Sequence, residues 1–209
     1  MPPRSKEPQP SFDFGFEPEP AETLGFATPT EVGPSDTFFF AIRPSPMAGA
    51  RIDAMSQALI STPAWQGGHR VGLAQLHASL HALDRKAGAL HDVLAAGCRA
   101  AAGLELKAFP VCFDALFQFK EGPIVLRGSD GVAPLVDLHR SLGLALRAAG
   151  FSVSLGSTPH ISLIYPRTHA PVELPVIDPV SWTVDHLVLI HSRFGLTAHH
   201  ELARWPLVA

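Results

Sequence analysis

The sequence has little that would place it in a membrane or along a nucleic-acid duplex. No apolar run approaches the roughly 18 residues that a membrane span needs, and the N-terminal MPPRSKEPQP is polar where a signal peptide would be apolar. Sixteen basic residues against 19 acidic ones give a formal charge of -3, so the overall charge does not attract a long polyanion. We therefore expect a cytoplasmic protein that binds neither a membrane nor an extended duplex.

Cysteine is scarce as well. Cys98 and Cys112 lie 14 residues apart, without a CxxC pair or a disulfide-rich setting, and this is typical of small buried side chains rather than metal-binding thiolates. We expect no metal and no cofactor. The length of 209 residues and the hydrophobic content of 46% suit one medium-sized domain, or two small lobes that share a core.

The chain divides into a proline-rich tail and a folded body. Residues 1–36 hold eight of the 20 prolines and only scattered phenylalanines, too little apolar surface to offset the entropy of ordering them. We predict a mostly disordered tail over 1–36, unless its phenylalanines dock on the body. The body is predicted to span 37–209.

Short helices and strands are predicted to interleave along the body. The aromatic run TFFFAIRP is typical of a buried first strand, with Phe38 to Phe40 in the core. Helical spacing predicts helices over 50–60, 85–102 and 132–149, and Gly103 and Gly150 follow the last two. Alternation predicts strands around 109–113 and within SVSLGSTPHISLIYP, SWTVDHLVLIHSRF and HHELARWPL. This pattern predicts an α+β fold.

The most informative feature is a small internal repeat. His77-Ala78-Ser79-Leu80 recurs 83 residues later as His160-Ile161-Ser162-Leu163. Because side chains alternate along a strand, each histidine shares a strand face with the serine two residues on, while the intervening residue and the leucine point into packing. Two such strands that face each other would present two imidazoles and two hydroxyls across one cleft.

That set of groups suits the cleavage of a phosphodiester. In-line attack at phosphorus needs a base for the nucleophile and an acid for the leaving oxygen on the opposite side. Two histidines, each with an unperturbed pKa near 6.5, can share those roles at neutral pH without a metal. Hydroxyl donors can bind the non-bridging oxygens, where negative charge concentrates in the transition state.

With these residues the chain resembles the 2H phosphoesterases, in the branch of RNA 2′,3′-cyclic phosphodiesterases that is also called the 2′-5′ RNA ligase family. The family carries two H-x-[T/S]-x motifs, and the likeness runs from Phe38 to Leu207 through FFFAIRP, QLHASL, STPHISLIYPR and ELARWPL. The resemblance implies a bilobal fold of two antiparallel sheets flanked by helices, with a central groove. It also implies that His77 and His160 are catalytic and that Ser79 and Ser162 hold the phosphate.

The resemblance further implies a metal-independent enzyme, a monomer, that hydrolyses 2′,3′-cyclic phosphate ends or 2′-5′ linkages of a small RNA or nucleotide. His160 would be the base and His77 the acid, although the pseudo-twofold symmetry allows the reverse. Arg43 and Arg167 lie near the motifs and are expected to add phosphate contacts, and Tyr165 is a candidate for base stacking. Serine replaces the family's more frequent threonine at both hydroxyl positions, which keeps the donor but loses the methyl group that stiffens the rotamer.

Several alternatives stay open from the residues alone. Leu73, Leu76, Leu80 and Leu83 also fall at helical spacing, which would place His77 and His81 on one exposed helix face, where they could bind a metal. On a strand, alternation would instead aim His81 into the groove of His77. The same fold could serve as a non-catalytic RNA- or nucleotide-binding module, and RNA ligation is the hydrolytic chemistry run backwards.

Overall fold

A computed structural model describes residues 25–85, 88–120, 122–167, 173–196 and 198–208. These residues form three helices and ten strands, with one short 3₁₀ turn at Leu73–Gln75. The helices are α1 (Pro46–Ile60), α2 (Leu90–Ala102) and α3 (Ala133–Ala148). The strands are β1 (Thr37–Ile42), β2 (His69–Arg70), β3 (Ala78–Leu83), β4 (Phe109–Phe113), β5 (Ala115–Gln118), β6 (Ile124–Arg127), β7 (Ile161–Tyr165), β8 (Val180–Val184), β9 (His186–Arg193) and β10 (Ala198–Pro206).

The helix bounds differ from the sequence prediction mainly at the N-terminal ends. Helix α1 begins four residues earlier than predicted, because Pro46 occupies the first turn and the Ser45 hydroxyl accepts a hydrogen bond from the Ala48 amide at 3.3 Å. Helix α2 begins at Leu90 instead of residue 85. Arg85 Nη1 donates to the carbonyl oxygen of Gly33 at 2.7 Å, so the Arg85 side chain binds the N-terminal segment.

Two four-stranded antiparallel sheets form the framework, which confirms the predicted α+β fold. The first sheet has the strand order β10-β9-β1-β3 and the second has the order β2-β7-β6-β5, while β4 and β8 form a separate antiparallel pair. Phe38 and Phe40 of the aromatic run are core, as predicted, and at most 1% exposed, whereas Phe39 is half-buried and its ring centroid lies 4.9 Å from that of His77. One continuous apolar cluster joins both sheets and the helices, so the two lobes share a core.

The described end of the N-terminal segment lies against the first sheet. Phe26 is buried, and the Ala27 amide donates to the Leu202 carbonyl oxygen at 2.7 Å. The Asp36 carboxylate accepts hydrogen bonds from the Phe194 amide at 2.9 Å and from His191 Nε2 at 2.8 Å. Residues 25–36 therefore contact the body, whereas residues 1–24 of the predicted tail lie outside the described residues.

None of the described helices is both long and apolar enough to cross a membrane.

Candidate active site

The two histidines of the repeat lie at equivalent places, each directly before a strand. His77 precedes β3 and His160 precedes β7. His77 Nδ1 lies 2.6 Å from the Gln75 carbonyl oxygen, and His160 Nδ1 lies 2.8 Å from the Thr158 carbonyl oxygen. A carbonyl can only accept, so each Nδ1 carries a proton and donates it. Both rings are therefore held in the same tautomer, with Nε2 left for chemistry.

The serines follow on the same side of each strand, as predicted. His77 Nε2 lies 3.0 Å from Ser79 Oγ. Because Nδ1 of the neutral ring holds the proton, the Ser79 hydroxyl donates to Nε2. Ser79 is exposed and Ser162 is half-buried, while the leucines that follow them, Leu80 and Leu163, are buried.

A β-bulge interrupts both strands after the serine. Between Ser79 and Ala82, β3 has one residue more than the facing part of β1, and β7 has one more than β6 between Ser162 and Ile164. Leu80 and His81 are consequently both buried in β3, as Leu163 and Ile164 are in β7. The next residue of each strand, Ala82 or Tyr165, is exposed again. The repeat thus extends structurally over six positions, 77–82 and 160–165.

The bulge corrects the expectation for His81. Simple alternation would place His81 on the same side of the strand as His77, but the extra residue turns the His81 side chain inward. His81 is 4% exposed, and its Nε2 donates to the His139 carbonyl oxygen at 2.8 Å. The helical alternative for this segment is also wrong, because residues 78–83 form a strand. His77 and His81 line different cavities, and within the described ranges no three His, Cys, Asp or Glu residues are grouped to hold a metal ion.

The repeat's histidines and serines meet in one cavity of about 530 Å³, which we call the main cleft. Tyr165 lines it with half of its surface exposed, opposite His69 in the register of β2 and β7. Phe119 contacts the ring of His160 edge-on, with 5.0 Å between the ring centroids. The main cleft therefore has aromatic walls beside a polar centre, and its further lining includes Gln75 and His199.

The two predicted phosphate-binding arginines do not line the main cleft. Arg43 follows β1, and its Nη1 donates to the Ala74 carbonyl oxygen at 2.6 Å. Arg167 is exposed and its side chain lies beside Gly67. Among the described residues, neither lysine nor arginine contributes to the lining, although the charge of Arg43 reaches the histidines.

Burial and neighbouring charge favour the neutral form of His77. Burial lowers the pKa of His77 below its usual 6.5, and the positive charges of Arg43 and His160 lower it further, against the hydrogen bond to Gln75. His77 is consequently neutral around pH 7, with Nε2 unprotonated and accepting the hydrogen bond from Ser79.

His199 is a cleft residue that sequence reasoning missed. Its ring contacts that of His77 edge-on at 5.2 Å and that of Phe39 at 5.7 Å. Burial, together with the charges of His77 and Arg43, lowers the pKa of His199 to about 4. Its Nδ1 is buried without a hydrogen-bond partner among the described residues. The sequence offers no spacing signal for it, because β10 and β3 are the two edge strands of the first sheet, and the rings of His199 and His77 meet only across its face, beside Phe39 of β1.

Comparisons with known proteins agree with this geometry. The family model of the 2′-5′ RNA ligase superfamily matches residues 39–194. No curated protein sequence matches the chain. A crystal structure described as a phosphoesterase is similar with a TM-score of 0.70 at 22% identity, covering 83% of this chain and 99% of its own.

Two further solved structures share the fold. Escherichia coli LigT complexed with 3′-AMP has a TM-score of 0.65 at 22% identity, covering 83% of this chain and 98% of its own. TT0787 of Thermus thermophilus has a TM-score of 0.62 at 19% identity, covering 82% of this chain and 97% of its own. LigT has also been crystallised with NADP+ and with ATP.

Proposed function

Since the chain belongs to the 2′-5′ RNA ligase superfamily, we propose that it is a metal-independent phosphoesterase that hydrolyses 2′,3′-cyclic phosphate ends, or 2′-5′ linkages, of RNA or nucleotides. The observation that carries the proposal is the duplicated site. His77 and His160 share one cleft, each with Nδ1 fixed by a backbone carbonyl and each followed by a serine on the same side. This arrangement supplies two orientated Nε2 atoms and two hydroxyl donors.

We assign His77 as the general base and His160 as the general acid, the reverse of what the family resemblance implies. A base must be neutral before the reaction, and the lowered pKa of His77 keeps it so. His77 Nε2 takes a proton from water, and the water oxygen forms the new bond to phosphorus. The bond from phosphorus to one ribose oxygen breaks, and the His160 imidazolium gives its Nε2 proton to that oxygen.

The serines and the charged histidine stabilise the phosphate. On binding, the Ser79 hydroxyl turns from His77 Nε2 to a non-bridging oxygen, which frees Nε2 for the water, and Ser162 donates to a second oxygen. Among the described residues, no lysine or arginine lines the main cleft, so in this assignment the proton that His160 carries as the acid supplies positive charge beside the phosphate. The proposed catalytic state has one neutral and one protonated histidine, and we therefore expect a bell-shaped pH dependence of kcat/KM.

The lining of the main cleft supports a nucleotide as the ligand. Tyr165 and Phe119 offer aromatic surface for a base beside the phosphate position. LigT, which shares the fold, has been crystallised with 3′-AMP and ATP. A small nucleotide, or the end of an RNA, is the substrate that these features fit.

Turnover of a 2′,3′-cyclic nucleotide in the presence of EDTA tests the proposal. The wild type is expected to be active, and His77→Ala and His160→Ala are each expected to lose about 10²–10⁴-fold in kcat/KM, the usual contribution of a general acid or base. His186→Ala is the matched control, because His186 at the start of β9 pairs with the neighbouring Asp185 and does not line the main cleft.

Other outcomes would reject the proposal. Activity that EDTA abolishes and zinc restores would contradict the metal-independent mechanism. Binding of the nucleotide without turnover would indicate a binding module of the same fold.

A further inference from the structure

His199 lies in the main cleft beside the proposed base, but it has no part in the proposed mechanism. It belongs to β10 and lines the main cleft. Its ring centroid lies 5.2 Å from that of His77 and 5.7 Å from that of Phe39, with edge-on contact in both pairs. Among the described residues, it is the one histidine whose ring contacts the ring of His77. A group bound at His77 Nε2 is therefore within reach of His199.

The two ring nitrogens of His199 differ in their surroundings. Nδ1 is buried and has no hydrogen-bond partner among the described residues. Nε2 is also without a partner within the described part of the chain, but it is accessible, and the ring lines the main cleft. A buried N–H group without an acceptor is rarer in proteins than an unpaired acceptor, so the proton of the neutral ring lies on Nε2. His199 consequently presents one N–H donor to the main cleft.

This donor persists across the pH range in which the two histidines of the repeat titrate. Burial, together with the positive charges of His77 and Arg43, lowers the pKa of His199 to about 4. The ring is therefore neutral at pH 7, where a group with so low a pKa is a weak base. The chemistry of His199 in the main cleft is hydrogen bonding rather than proton transfer.

The phosphate of the proposed reaction can accept more hydrogen bonds than the repeat supplies. The two non-bridging oxygens of a phosphodiester share its negative charge, and each can accept more than one hydrogen bond. The repeat offers the hydroxyls of Ser79 and Ser162, and among the described residues no lysine or arginine lines the main cleft. We propose that His199 is a substrate-binding residue, which donates from Nε2 to a non-bridging oxygen of the phosphate. This inference rests on the proposed function, because the phosphate must lie between His77 and His160.

The donor of His199 makes the two halves of the repeat unequal. At the second motif, the ring that contacts His160 is that of Phe119, with 5.0 Å between the centroids, and it carries no donor. The phosphate oxygen on the side of His77 can thus accept from both Ser79 and His199, whereas the other oxygen accepts from Ser162. This difference orients the phosphate within the pseudo-twofold site.

Two substitutions separate the hydrogen bond from the packing of the ring. His199→Gln removes the ring but keeps an N–H donor near the position of Nε2. His199→Phe keeps a ring in contact with His77 and Phe39 but has no donor. A residue that donates to the phosphate tolerates glutamine and not phenylalanine, whereas a residue that only packs beside His77 shows the opposite order.

Two assays on the full-length protein measure both variants: steady-state hydrolysis of adenosine 2′,3′-cyclic phosphate in EDTA, and calorimetric titration with adenosine 3′-monophosphate. His199→Phe is expected to lower kcat/KM about 10–100-fold and to weaken binding of the monophosphate about tenfold or more, because a hydrogen bond to a charged group is lost. His199→Gln is expected to stay within about threefold of the wild type in both assays, because the donor is kept.

The neighbouring His200 provides the matched controls. It is exposed, does not line the main cleft, and its ring centroid lies 6.1 Å from that of His191. His200→Phe and His200→Gln make the same chemical changes one position further along β10. Both controls are expected to keep the wild-type kcat/KM and affinity.

The outcomes separate this inference from the proposed function. An active wild type whose kcat/KM and affinity are unchanged in His199→Phe would overturn the inference and leave the proposed function standing. A loss in His199→Gln as large as that in His199→Phe, or larger, would show that the ring and not the donor matters, and would also overturn it. A wild type that neither hydrolyses the cyclic phosphate nor binds the monophosphate would contradict the proposed function, and the inference with it.

Discussion

Replacing Gly143 by alanine is expected to destabilise the protein, although alanine is the better helix former. Gly143 lies inside α3, where alanine normally gains about 0.5–1 kcal/mol over glycine. Here the new Cβ would lie 2.8 Å from Leu155 Cδ2 and 2.9–3.0 Å from two atoms of the His81 ring. His81 is buried and hydrogen-bonded to the His139 carbonyl, so it has little room to move.

The expected magnitude follows from these two opposing effects. Overpacking of a buried site costs about 1–3 kcal/mol. Subtracting the helical gain of about 0.5–1 kcal/mol leaves a net loss between about 0 and 2.5 kcal/mol in the free energy of unfolding, centred near 1 kcal/mol. With a urea dependence of about 2 kcal/mol per molar, a loss of 1 kcal/mol lowers the urea midpoint by about 0.5 M.

Gly49→Ala is the matched control for this prediction. Gly49 lies inside α1, and its new Cβ would meet Leu73 Cδ1 at 3.2 Å, the end of a side chain that is 51% exposed and free to move. Alanine there is expected to be neutral or to stabilise by up to about 1 kcal/mol. Urea titration followed by tryptophan fluorescence measures both. A Gly143→Ala variant more stable than the wild type would refute the close packing of α3 on His81 and on Leu155 of the loop 152–158.

Three further predictions concern the site and the N-terminal segment. Ser79→Ala is expected to lower kcat/KM on a 2′,3′-cyclic nucleotide about 10–10³-fold, because it removes a donor to the transition-state charge; a change below twofold would contradict that role. Arg43→Met is expected to raise the pKa of His77 and to move the acidic limb of the pH profile of kcat/KM to higher pH, whereas an unmoved limb would show that Arg43 does not act on His77. Asp36 has its pKa lowered from 3.8 to about 2, chiefly by hydrogen bonds from the amides of Gly33 and Phe194, so its contribution to stability is present above pH 4 and disappears towards pH 2. Acid titrations should accordingly find a weaker pH dependence of stability in Asp36→Asn over that interval, and an identical dependence would show that this carboxylate does not act there.

The sequence predicts the repeat and its strands because both depend on local alternation. It does not reveal the bulges after Ser79 and Ser162, since an extra residue in a strand shows only against the partner strand. The bulge explains both the inward turn of His81 and the return of Tyr165 to the main cleft. Local alternation therefore predicts the wrong strand face for the residues that follow Ser79 and Ser162.

Other features depend on contacts between distant segments. His199 and His77 belong to opposite edges of the first sheet and meet over Phe39 of the strand β1 between them, a contact across the sheet face that local spacing does not show. The phosphate contact of Arg43 stays a prediction, and the hydrogen bond from its Nη1 to the Ala74 carbonyl oxygen is a contact that local spacing does not show. The contact of residues 25–36 with the body depends on Asp36 meeting His191, 155 positions away.

Phosphorus NMR of adenosine 2′,3′-cyclic phosphate incubated with the protein in EDTA tests the central claim most directly. Only one ribose oxygen can face the acid when the water is held by the base, so the account predicts a single monophosphate isomer from the wild type. It also predicts that His77→Ala and His160→Ala each form product about 10²–10⁴-fold more slowly. A mixture of 2′- and 3′-monophosphates, or undiminished turnover in either variant, would contradict it.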